Sequence, residues 1–127
     1  VIQLNHFHDL AGAGKNNDEL IRIGAGAGAK EEDEYETLVQ FNLFEQIGPV
    51  EEAISVKNSR NVIRHNTFRK MADEIVLRGA SDTTVEGNWM FDSRGIRVHG
   101  TRHRILNNYV VNGVAGQGRM PCSPTIR

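Results

Sequence analysis

Residues 51–100 read EEAISVKNSRNVIRHNTFRKMADEIVLRGASDTTVEGNWMFDSRGIRVHG and hold three successive copies of one short unit. Each copy contains an alternating strand-like run: Ile54-Ser55-Val56, Ile75-Val76-Leu77 and Ile96-Arg97-Val98. A polar corner follows each run, and then a second strand that leads to an Asn-x-apolar signature. Aligning the copies stacks Lys57, Arg78 and His99 in one column. Three side chains able to carry a proton at one structural position make that column the first candidate for function.

The repeat extends outward on both sides. Asn-x-apolar recurs as Asn5-His6-Phe7, Asn42-Leu43-Phe44, Asn66-Thr67-Phe68, Asn88-Trp89-Met90 and Asn108-Tyr109-Val110. Three residues before each Asn stands an aliphatic: Ile2, Val39, Ile63, Val85 and Ile105. The last four Asn are 24, 22 and 20 residues apart, and the first gap is 37, longer by roughly one loop insertion. A period in this range also suits leucine-rich repeats, but their Leu-x-x-Leu-x-Leu run is absent.

Period two governs the apolar residues instead. Ile21 and Ile23, Ile54 and Val56, Ile75 and Leu77, and Ile96 and Val98 point to one face. Arg22, Ser55 with Lys57, Val76 with Arg78, and Arg97 with His99 point to the other. Short strands between Gly, Asn, Asp and Ser corners predict an all-β fold, a right-handed parallel β-helix of about five coils. The recurring Asn is expected at a bend, taking αL geometry and bonding local backbone. Coils occupy 1–112, and 113–127 reads as an irregular tail or a truncated next coil. Without a polar cap, open coils expose strand edges, so the chain is expected to belong to a longer β-helix.

Composition bounds the rest. At 127 residues there is room for one small domain. No apolar run approaches the roughly 18 residues of a membrane helix, and no signal-peptide pattern opens the chain. Cys122 is the only cysteine, which excludes a disulfide framework and a Cys-based metal site. His6 and His8 share a strand face, but two His without a third ligand do not specify zinc. Residues 1–56 carry three basic and eleven acidic side chains, whereas residues 57–127 carry twelve basic and five acidic. The basic half points to a polyanion partner.

Two segments interrupt the pattern, Ala11 to Asn17 and Gly24 to Glu36, and read as loops. Neither is a nucleotide loop. In the first, Asp9 stands where G-x-x-x-x-G-K needs its leading Gly and Asn16 where it needs Ser or Thr; the second lacks G-x-G-x-x-G spacing. Neither a nucleic-acid nor a membrane partner is expected.

The chemistry centres on the Lys57, Arg78, His99 column, flanked by Ser55 and Arg97. Glu51 and Glu52 stand just before the Lys strand, and Glu19 and Asp73 occupy the matching place in neighbouring coils. Carboxylates beside a Lys/Arg pair suit carbanion chemistry on an acidic sugar, in which a Lys of lowered pKa removes a proton. The bland alternative is a solvated sheet face whose charges pair for little energy.

The run FNLFEQIGPVEEAISVKNSRNVIRHNTF, followed by EIVLRGASDTTVEGN, GIRVHG and ILNNYV, resembles polysaccharide lyase family 6, which includes alginate lyases and chondroitinase B. The likeness spans about Asn16 to Val110 and rests on the E-x-x-S-x-K strand, the L-R-G strand one coil later and N-x-x-R-x-N-T-F between them. The resemblance implies a secreted or periplasmic lyase that cleaves uronate polysaccharide by β-elimination, alginate ahead of dermatan or chondroitin sulfate. It implies Lys57 as the base and Arg78 as the acid, with Arg22, Ser55, Arg97 and His99 on the substrate. Calcium is implied at Asn16 (or Asn17), Glu52 and Glu51. The chain departs from the family pattern at Val50, where the first calcium Glu is expected, and at Gly79, where a His commonly follows the Arg. Arg22 or Arg97 is then the alternative means of neutralising the substrate carboxylate. The competing reading from another class is a non-catalytic β-helix that binds acidic polysaccharide; a third is a purely structural solenoid.

Overall fold

A computed structural model describes residues 1–12, 18–24, 36–48, 50, 52–71, 73–111 and 125–126. Every described element is a strand. The first coil contains β1 (Ile2–Gln3), β2 (His6–His8) and β3 (Glu19–Ile23). The second contains β4 (Leu38–Gln40), β5 (Leu43–Glu45) and β6 (Glu52–Val56). The third contains β7 (Val62–Arg64), β8 (Thr67–Arg69) and β9 (Glu74–Leu77), and the fourth β10 (Thr84–Glu86), β11 (Trp89–Phe91) and β12 (Gly95–Val98). A fifth begins with β13 (Arg104–Leu106) and β14 (Tyr109–Val111), and β15 (Thr125–Ile126) ends the described chain. Among the described residues no helix is long and apolar enough to cross a membrane.

These strands form three sheets in a β-solenoid. Sheet A runs β1-β4-β7-β10-β13, sheet B runs β2-β5-β8-β11-β14, and sheet C runs β3-β6-β9-β12-β15. All pairings are parallel except β12 with β15, which is antiparallel. The last strand therefore returns against sheet C instead of continuing the coil.

The two-point template of the sequence maps onto the interior directly. The aliphatics before each Asn form one ladder inside sheet A, pairing Ile2 with Val39, Val39 with Ile63, Ile63 with Val85 and Val85 with Ile105. The apolar residues after each Asn form another inside sheet B. There Phe7, Phe44 and Phe68 stack with ring centroids 4.9 and 4.6 Å apart, and Met90 and Val110 continue the row. Ile21, Ile54, Ile75 and Ile96 close the core from sheet C. Burying such a side chain fully contributes about 1.5–3 kcal/mol.

Between sheets A and B the asparagines stack in their own column. Asn66 Nδ2 donates to Val39 O and to Asn88 Oδ1, both at 3.0 Å. Asn66 Oδ1 accepts from Asn42 N and Asn42 Nδ2, again at 3.0 Å. Two donors and two lone pairs are the whole capacity of an amide side chain, and all four are used. Asn42 and Asn88 repeat the pattern.

The left-handed residue of this bend is not the Asn expected from the sequence but the residue before it. Leu4, Phe41, His65, Gly87 and Asn107 lie at φ of 58°, 55°, 52°, 61° and 53°. The reason is one of division: the bend turns on one residue's backbone so that the next can aim its side chain along the solenoid axis.

Asn66→Ala leaves Asn42 N–H and Val39 C=O buried without the partners they had, at about 1–3 kcal/mol each. Asn5→Ala, at the exposed end of the ladder, costs about 1 kcal/mol or less. Urea midpoints of the two variants measure the difference; equal losses would show that the ladder is not what holds the coils.

Candidate active site

Sheet C carries the candidate residues, and its register decides which of them meet. Pairing joins Glu19 to Glu52, Arg22 to Ser55, Ser55 to Val76 and Val76 to Arg97. One step past the strand ends, Lys57 N donates to Ile23 O at 2.8 Å, Arg78 N to Val56 O at 2.7 Å and His99 N to Leu77 O at 2.9 Å. Lys57, Arg78 and His99 therefore form the column read from the sequence, with backbones about 4.8 Å apart from coil to coil.

What the sequence left open is how that column is partnered. Lys57 Nζ donates to Glu19 Oε1 at 2.8 Å, and the other Glu19 oxygen binds the Arg22 guanidinium. The Lys57 side chain is 14% exposed and that of Glu19 only 4%. Burial alone would push the Glu19 carboxyl up, but hydrogen bonds and charge from Arg22 and Lys57 outweigh it and hold the group below its ordinary range. The Arg22 guanidinium is pushed up by the same hydrogen bond.

A second network lies beside the first. Glu52 Oε1 accepts from Arg78 at 2.6 Å and from Arg97 at 3.0 Å, and Arg97 also reaches Glu74 Oε1 at 3.1 Å. Glu52 is buried while Arg78 is exposed at the rim. The stripe that reads as basic is thus nearly charge-balanced, with Arg22, Lys57, Arg78 and Arg97 facing Glu19, Glu52 and Glu74. Glu74 is the member that sequence reasoning missed. Its signal was parity: it lies two and four residues before Val76 and Arg78, on their side of the strand.

Ser55 and Val76 are fully buried although they alternate with the core residues, so this side of sheet C is not a bare solvated face. Ser55 Oγ, Glu52 Oε2 and Arg97 Nε have no hydrogen-bond partner among the described residues. His99 contributes its carbonyl, which accepts from His103 Nε2 at 2.9 Å, while His103 Nδ1 accepts from Thr83 N at 3.2 Å. Those two bonds fix the His103 tautomer. Gly79, after Arg78, lies at φ 69°.

Of the residues implied for calcium, Asn16, Asn17 and Glu51 lie outside the described residues, as does most of the two interrupting segments. Val50 is buried in the core cluster. Glu52 offers one oxygen beside the one that two guanidiniums occupy. Among the described residues no three His, Cys, Asp or Glu side chains gather to hold a metal. Calcium takes six to eight oxygens. Glu52 is the one implied calcium ligand among the described residues.

Asp73 sits one strand below Glu52, buried, with Oδ2 unpartnered among the described residues. Burial pushes its carboxyl up to about 6 against the opposing effects of Arg94 and a backbone hydrogen bond at Val50, with Glu74 and Asp18 adding to the rise.

A family model described as Chondroitinase B matches residues 1–123. No curated protein matches the chain.

The raised Asp73 pKa fixes the sign of one pH effect. The folded state holds a proton that the unfolded chain releases nearer 3.8. Its contribution to stability is complete at pH below that value and is lost as pH rises through about 6. Asp73→Asn should therefore raise the urea midpoint relative to the parent at pH 8 and change it little at pH 4. A constant difference at both pH values would count against a shifted Asp73.

Proposed function

Because the chain belongs to the Chondroitinase B family, we propose that it cleaves a uronate-containing polysaccharide by β-elimination, with Lys57 as base and Arg78 as acid. Family membership carries the polysaccharide-lyase character; the residue roles and the polymer are our reading. The observation that supports it is the placement of Lys57 and Arg78 in one column, one strand apart, at the rim of sheet C. A base and an acid at that spacing can address the two ends of one elimination.

In this mechanism the Lys57 amine takes the proton from the carbon next to the substrate carboxylate. The electrons of that C–H bond form the new C=C bond. The adjacent C–O glycosidic bond breaks, and its electrons leave on the oxygen, which receives a proton at Arg78. The carboxylate must be neutralised for the first proton to leave. Arg97 and Arg22 are the cations beside the column for that purpose, and no step runs through calcium. Dipoles and cations fixed before reaction act without reorganising, which is why such groups contribute more in a water-poor site than in bulk. We rank alginate ahead of dermatan or chondroitin sulfate, and infer a secreted or periplasmic location, from the resemblance to polysaccharide lyase family 6.

One observation favours the competing reading, a β-helix that binds acidic polysaccharide without cleaving it. Lys57 Nζ is engaged by the buried carboxylate of Glu19, which must give way before the amine can reach a substrate proton. Arg78 is likewise held by Glu52. Substrate must displace these carboxylates for turnover, whereas binding needs only that the cations share them.

Ultraviolet absorbance of the unsaturated uronate product separates the two. The chain is incubated with alginate and, separately, dermatan sulfate. Absorbance should rise on alginate, fall about 100-fold or more in rate in Lys57→Ala, and persist when a chelator is added. Loss of turnover on chelation would restore calcium to the mechanism. A flat trace on both polymers from folded protein, with salt-sensitive binding retained, would replace the lyase by the binding module.

A further inference from the structure

Sheet B holds a second constellation, on the side away from the core. Trp89 and Phe91 flank the buried Met90 on β11, and Tyr109 on β14 pairs with Trp89. Ring centroids are 5.2 Å apart for Trp89 and Tyr109, and 6.1 Å for Trp89 with Phe91 and for Phe91 with Tyr109. Trp89 is 53% exposed and Tyr109 50%. A strand that buries Met90 and turns two aromatic rings outward pays solvent exposure that folding alone does not require.

A charged edge with two exposed cations adjoins the rings. Arg69 follows Phe68, which pairs with Met90, and so lies beside Phe91 across the β8–β11 pairing. The side chains of Arg69 and Lys70 are 49% and 61% exposed, and they share the single carboxylate of Glu45 at 2.9 and 3.7 Å. Glu45 and Asp92, the exposed residue after Phe91, match these two cations in number, and Arg69 and Lys70 remain the cations that the edge presents to solvent.

The dimensions select the occupant. A whole aromatic side chain covers about 150–250 Å². Two rings exposed by about half, with the partly buried Phe91 beside them, give at most a few hundred Å², well short of the roughly 1,000 Å² a specific protein interface needs. A second copy of this chain or another globular protein would find too little apolar surface, rimmed by charge. A single narrow chain fits better. Pyranose rings present flat C–H faces that lie against aromatic rings, and an acidic sugar adds a negative charge for Arg69 and Lys70.

We propose that Trp89, Phe91 and Tyr109, with Arg69 and Lys70, form a stacking platform that holds an acidic polysaccharide chain outside the cleavage site. The platform is one corner from that site: β11 ends at Phe91, β12 begins at Gly95, and Arg97 follows on β12. A polymer held at both places engages the second at the high effective concentration that tethering provides. The choice of polymer rests on the function proposed above; the ring and charge geometry does not.

Trp89 is the only tryptophan in the chain, so its emission reports on the platform directly. The full chain is titrated with size-defined alginate and dermatan sulfate oligosaccharides, with neutral cello-oligosaccharides as control. Sedimentation is recorded alongside, and product absorbance is followed in the same samples. Acidic oligosaccharides should give a saturable emission change that weakens with salt. In Tyr109→Ala combined with Arg69→Ala the half-saturation point should rise about tenfold, the ratio that 1.4 kcal/mol of lost contact gives. Trp89→Ala should raise KM on long polymer and leave kcat unchanged. Turnover without any Trp89 response, or an emission change that tracks self-association without polymer, overturns the platform. A Trp89 response without turnover sustains the platform and sinks the lyase reading instead.

Discussion

Each buried asparagine of the ladder ties the backbone of the coil before it to the side chain of the coil after it, and the rest of the solenoid inherits its register from that arrangement. Asn66 uses its whole hydrogen-bonding capacity on neighbouring coils. A slip by one residue would leave those buried amides unsatisfied and would turn every alternating side chain to the wrong side. Because the column fixes where each coil starts sheet B, it also fixes where Phe44 meets Phe68 and, further along the same coils, where Glu52 meets Glu19. The active-site candidate is a consequence of that register: residues 21 to 45 positions apart in the chain become neighbours across one or two strand spacings.

Sheet C then sets an electrostatic problem. Placing Lys57, Arg78 and Arg97 in adjacent coils brings like charges together, and the chain answers with Glu19, Glu52 and Glu74. Removing buried charge from water is costly, and one carboxylate shared by two guanidiniums offsets part of that cost. The result is a pre-aligned set of cations whose partners a substrate carboxylate can replace, since the incoming group is chemically the same as the one it displaces. Asp73 meets the same burial without a full set of partners, and its carboxyl is pushed up to about 6. The outer side of sheet B follows a different logic, in which aromatic rings remain exposed and charge lies at the edge.

The amino-acid sequence alone determined the solenoid, because its repeat is written in local residues: an aliphatic, then Asn three places on, then an apolar residue two places beyond. Each of those positions maps to one interior column. It also determined the Lys57, Arg78, His99 column and the Glu19, Glu52, Asp73 row, since strand parity and a near-constant period are enough to place residues in register. Only the tertiary structure decided the rest. Whether Glu52 faces Arg78 and Arg97 depends on side-chain reach across strands, not on spacing along one. That the left-handed residue precedes each ladder Asn depends on how the bend divides its task between backbone and side chain. Glu74, although its parity was readable, became a site residue only when Arg97 of the next coil arrived beside it. Likewise Trp89, Phe91 and Tyr109 read along the chain as ordinary strand aromatics. They became one surface because two coils stack at a strand's width, a distance that no count of residues along the chain contains.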